Sequence, residues 1–70
     1  ISTLLYYVFL LGEAAAATGD AAKVLTYLRI AAKHGWAATD ATESTPAFTA
    51  LRDLPEWASV LDRMRHNASG

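Results

Sequence analysis

Apolar positions recur along this chain at steps of three and four residues, the period of an α-helix. Over about residues 4–18, Leu4, Val8, Leu11 and Ala15 form one stripe, while Tyr6, Phe9, Leu10 and Glu13 form a second. A helix lying on a core needs only one apolar stripe. The second therefore predicts cover from other parts of the fold, from a neighbouring repeat or from a partner. Over about 21–34, Val24, Leu25, Leu28, Ala31 and Ala32 share a face, and Lys23, Arg29 and Lys33 stay on the wet side. The pattern then lapses: Thr39, Asp40, Thr42, Glu43, Ser44 and Thr45 offer little to bury, which predicts a loop over 37–45. It resumes with Phe48 and Leu51 in a short helix at about 46–52. Trp57, Val60, Leu61 and Met64, at i, i+3, i+4 and i+7, mark the buried stripe of a last helix at about 55–66. The expected fold is all-α, one domain over 1–70: an antiparallel hairpin (1–36), a loop, and a C-terminal cap (46–70).

Residues that start and stop helices fall at the joints of this pattern. Ser2 and Thr3 are candidate N-caps of the first helix, Gly19 is its stop, and Asp20 can cap the second helix. Lys33 and His34 place positive charge at the second helix's C-terminal end, and Gly35 can supply the left-handed residue that ends it. Trp36 is expected to fold back onto the hairpin. Thr45 and Pro46 read as a cap and first helical residue. Asp53 and Glu56 have capping-box spacing at the start of the last helix, with Pro55 between them. Arg63, Arg65 and His66 populate its closing turns.

Composition narrows the range of partners. A chain of 70 residues buries only about 60% of its unfolded surface, so its independent stability is expected to be small. Cysteine is absent, which removes disulfides and thiolate metal sites. Six basic and seven acidic residues give a net charge of −1, without the broad positive field of a nucleic-acid binder. The partner expected from this balance is another protein surface. Hydrophobic residues reach 53%, inflated by alanine, a bias that suits helices in close approach. The uninterrupted apolar run from Leu4 to Leu11 is eight residues long, whereas about 20 are needed to span a bilayer. A cytoplasmic, non-membrane setting is expected. The opening on Ile1, already inside an apolar segment, suggests a piece of a longer polypeptide.

Leu11-Gly12, Ala15, Gly19-Asp20, Leu28 and Ala31 are spaced as in a tetratricopeptide repeat, which the stretch from Leu5 to Ala38 resembles over about 34 residues. Val24, Ala15 and Trp36 stand where that repeat usually carries alanine, an aromatic residue and proline. Pro46, Phe48, Leu51-Arg52, Pro55, Trp57, Val60-Leu61 and Met64 resemble the tail that closes such arrays in bacterial multidomain signalling and regulatory proteins, with Leu54 in place of the tail's usual aspartate. The resemblance implies a terminal repeat plus its cap, with Phe48 and Trp57 as core anchors over the end of a stack. It also implies that the first helix lines the ligand-facing surface, here Tyr6, Phe9, Leu10, Glu13 and Ala17. These are the expected partner-binding residues. The same residues could pack on an upstream repeat or on a second copy of the chain.

Catalytic chemistry finds no support in the pattern. His34 and His66 lie in separate helices, without another histidine or carboxylate at a recognised ligand spacing. Asp62 and His66, at i and i+4, read as a surface ion pair. Ser59, Asp62 and His66 lie near one helical face, but a nucleophile also needs an orienting group and an oxyanion hole in a cleft. Arg52, Arg63 and Arg65 alternate with Asp53, Glu56 and Asp62, which reads as a self-compensated face. Gly12 and Gly19 are explained by close packing and termination, and the Asn67-Ala68-Ser69 sequon has meaning only in a secretory pathway. The expectation is a non-catalytic interaction or scaffolding module without metal or cofactor. Its alternatives are a structural or regulatory appendage of a larger bacterial signalling enzyme or transcription regulator, and a small self-associating helical domain.

Overall fold

A computed structural model describes residues 3–70, and every regular element among them is helical. The elements are α1 (Thr3–Ala17), α2 (Ala21–Lys33), α3 (Thr39–Glu43), a 3-10 helix (Pro46–Leu51) and α4 (Pro55–Ser69). The first two pack against each other as the expected hairpin, each boundary within one residue of the predicted one. Ser2, one of the two N-cap candidates, lies outside the described residues.

Both hairpin helices end as their sequence requires. Gly19 (φ +76°) closes α1, with its N–H on Ala16 O at 3.0 Å and the Asp20 N–H on Ala15 O at 3.1 Å. Gly35 (φ +107°) closes α2 in the same way: its N–H reaches Ala32 O at 3.2 Å and the Trp36 N–H reaches Ala31 O at 2.9 Å. These paired bonds satisfy carbonyls that the helix leaves free, and the positive φ is where glycine escapes the side-chain clash. Asp20 caps α2, its carboxylate accepting the Lys23 N–H at 3.1 Å.

The C-terminal half forms a lid on one side of the hairpin, with the 3-10 helix against α1 and α4 against α2. Aromatic side chains join the pieces. Phe9 stacks on Trp36 with centroids 4.9 Å apart and meets Phe48 edge-on at 5.8 Å, and Phe48 in turn packs on Trp57 at 5.8 Å. Around them lie Val24, Leu28, Leu51, Val60, Leu61 and Met64, all buried. The radius of gyration, 10.8 Å, matches the roughly 11 Å of a compact 70-residue domain, so the lid is packed rather than extended.

Four expectations for the second half need correction. The predicted loop over 37–45 contains α3, and two of its threonines are buried. Thr42 Oγ1 accepts the Trp36 indole N–H at 3.2 Å and donates to Ala38 O at 2.9 Å, so a polar residue serves as core by satisfying both groups. The capping box does not form: Leu54 occupies the N-cap of α4 without a side-chain bond, and Pro55, which has no N–H to satisfy, starts the helix. Thr45 does hold the N-cap position before Pro46, but its hydroxyl donates backward to Ala41 O at 2.7 Å. Finally, α4 runs on to Ser69, beyond the expected end near 66.

That extension has a cause in Asn67. Its side-chain amide donates to Ala32 O at 2.7 Å and to Trp36 O at 2.9 Å, reaching across from α4 to the C-terminal end of α2. One residue thereby fastens the lid to the hairpin at the point where α2 runs out of its own donors.

Candidate protein-interaction face

Alanine and leucine favour the helix over Thr3–Ala17, but α1 is apolar nearly all the way round, with Glu13 as its one charged residue. Periodicity alone cannot orient such a helix. The structure turns its buried side onto Phe9, Gly12 and Ala15, with Leu5, Val8 and Ala16 partly covered beside them. Neither predicted stripe is the buried face; that face lies between the two.

The site residues named from the sequence separate accordingly. Phe9 is 6% exposed, clamped by Trp36 and Phe48, and is corrected from the partner-facing surface to the core. Glu13 is half-buried. Tyr6 (52% exposed), Leu10 (40%) and Ala17 point outward. Tyr6 is anchored at the edge of this surface by stacking on Trp36, 6.5 Å between centroids. The sequence reading missed Leu4, Tyr7 and Leu11, which lie on the outward side of the helix, with Leu4 at 69% and Tyr7 at 62% exposed. The signal that could have found them is the 100° step from residue to residue: with Phe9, Gly12 and Ala16 inward, Leu4, Tyr7 and Leu11 must face out.

The outward face thus carries Leu4, Tyr6, Tyr7, Leu10 and Leu11, then Ala14 and Ala17, with no charged side chain among them. Taking full aromatic areas of 150–250 Å² as the scale, the five large residues expose on the order of 500 Å², a patch at the size that on monomeric proteins is often functional. It continues past Leu4 into a groove of about 400 Å³ between α1 and α2, lined by Leu4, Leu5, Val8, Ile30 and His34. Among the described residues no helix is long and apolar enough to cross a membrane.

Several charged groups of the C-terminal half are engaged with the fold. Arg65 bridges Glu43 Oε1 at 3.0 Å and Asp62 Oδ1 at 3.1 Å, so Asp62 pairs with Arg65, not with His66 as the spacing suggested. Arg52 donates to the Glu43 carbonyl at 2.6 Å, which fixes the 3-10 helix to the end of α3. Ser59 and Arg63 share a shallow groove of about 170 Å³ with Arg29 and Lys33, with no carboxylate or histidine on its walls. Among the described residues no three His, Asp or Glu side chains gather, and no buried side-chain N or O lacks a hydrogen-bond partner. Comparison of the chain with protein-family models, curated proteins and solved structures returns no match.

Proposed function

We propose that this chain is a non-catalytic protein-protein interaction or scaffolding module that acts through the outward face of α1. The observation that carries the reading is the uncharged surface of Leu4, Tyr6, Tyr7, Leu10 and Leu11 on a helix whose opposite side is committed to the core. Water covers such a surface at a cost that a partner relieves, since apolar area removed from water contributes about 25 cal/mol per Å². The lid supports the same reading, because it covers one side of the hairpin and leaves α1's outward face free. A terminal tetratricopeptide-like unit of a larger bacterial protein fits this one-sided closure. In that setting Tyr6, Leu10 and Ala17 take the role the resemblance assigns them, joined by Leu4, Tyr7 and Leu11.

A photo-reactive phenylalanine analogue placed at Tyr7 in the native host, compared with one at exposed Asp53, tests this. Protein adducts concentrated at position 7 are expected. Equal labelling at the two positions, or none at position 7, would overturn the proposal.

A further inference from the structure

A second regularity runs along the same face. Thr3, Tyr7, Leu10, Ala14 and Ala17 follow one another at alternating steps of four and three, the spacing with which helices pair along a seam, and all five are exposed. Leu4 and Leu11 flank the seam on one side and Tyr6 on the other. Residue size is graded along it, bulky in the N-terminal half and alanine in the C-terminal half.

This gradient discriminates between ways of pairing two such faces. Two parallel copies would set Tyr7 against Tyr7 and leave Ala14 opposite Ala14, a gap whose lining loses its dispersion contacts. In an antiparallel pair, Tyr7 and Leu10 of each chain lie over Ala14 and Ala17 of the other, and large fills the space left by small twice over. A two-fold axis level with Gly12, just past the middle of α1, sets Tyr7 over Ala17 and Leu10 over Ala14, and so produces that arrangement from one self-complementary surface. Because the face carries no charge, the axis sets no like charges against each other. Opposed helix dipoles add a small favourable contribution. The patch on two copies amounts to on the order of 1,000 Å², the lower end of specific interfaces, which suits a weak, concentration-dependent dimer.

We infer that the partner of the α1 face is a second copy of this chain, paired antiparallel along the Thr3–Ala17 seam. This rests on the reading of that face as an interaction surface, and names its occupant. The pair forms without disturbing Phe9 or the lid, since the seam lies on the opposite side of α1.

Sedimentation equilibrium over about 10 µM to 1 mM measures the pairing directly. The wild-type chain is expected to pass from monomer to dimer, and Tyr7→Lys with Leu10→Lys to weaken the dimer at least tenfold while keeping the wild-type helical circular dichroism. The chain has no cysteine, so introduced thiols report orientation alone. Tyr7→Cys chains mixed with Ala14→Cys or Ala17→Cys chains are expected to form mixed disulfides faster than Tyr7→Cys chains do among themselves. A wild-type monomer at every concentration, a dimer that the lysines leave intact, or a preference for Tyr7-to-Tyr7 disulfides would each overturn the inference. If the chain is monomeric while the photo-reactive group at position 7 still captures a different protein, self-pairing is wrong and the interaction reading stands.

Discussion

Glycine has two different meanings in this chain. At Gly19 the backbone sits at φ +76°, in the region that side chains avoid, and nothing lies within 4 Å of where a Cβ would be. The requirement there is conformational, so Gly19→Ala is expected to cost about 1–2 kcal/mol. At Gly12 the sequence suggests close helix approach, yet a Cβ would meet Leu28, Phe48 and Tyr27 at 3.7–3.8 Å, ordinary contact distances. Close packing therefore does not require glycine, and alanine fills the space at a helix-interior position. Gly12→Ala is expected to stabilise the fold by about 0.5–1 kcal/mol, through helix propensity and reduced freedom of the unfolded chain. Urea unfolding of the two variants checks both signs, and destabilisation by Gly12→Ala would mean that α1 and α2 lie closer together than those contact distances allow.

At the level of elements, the amphipathic members were legible and the rest were not. The α2 sequence has one apolar stripe, a capping aspartate and a closing glycine, and its limits follow from them. For α1 the same rules locate the ends but not the orientation, because an almost wholly apolar helix presents no polar side to exclude from the core. The pattern accordingly places Phe9 outward, sets Leu4 and Leu11 in a stripe with Val8 and Ala15 rather than on the partner-facing side, and does not single out Tyr7. The short helix α3 escaped notice because its buried residues are threonines, whose burial depends on hydrogen bonds to Trp36 and Ala38 that no local pattern announces. Asn67 is similar: near a chain end it reads as a surface residue, and its role depends on carbonyls 31 and 35 residues away. Asn67→Ala is expected to lower stability by about 1–2 kcal/mol, since the Trp36 carbonyl loses its donor in a partly buried setting and Ala32 O keeps only the Gly35 N–H. Arg65→Ala, which removes only exposed ion pairs, should cost about 0–1 kcal/mol. Thermal unfolding of the two variants side by side shows whether the lid is held by the amide or by the charges.

For the molecule as a whole, the arrangement is one-sided. The lid brings Phe48 and Trp57 over one flank of the hairpin, and the chain of rings from Tyr6 through Trp36, Phe9 and Phe48 to Trp57 ties α1 and α4 to the segment that follows α2. The other flank is left with an uncharged helix face. A domain of this size has only a few kcal/mol of stability to lose, so the division of α1 into a structural side and a free side should be plain in its response to substitution. Urea unfolding in dilute, monomeric solution, comparing Phe9→Ala with Tyr7→Gln plus Leu11→Gln, tests that division most directly. Phe9→Ala is predicted to cost about 3–5 kcal/mol, and the outward pair to stay within roughly 1 kcal/mol of wild type. A large loss from the glutamine pair, with Phe9→Ala nearly neutral, would show that α1 is turned the other way and that the proposed interaction face is its core.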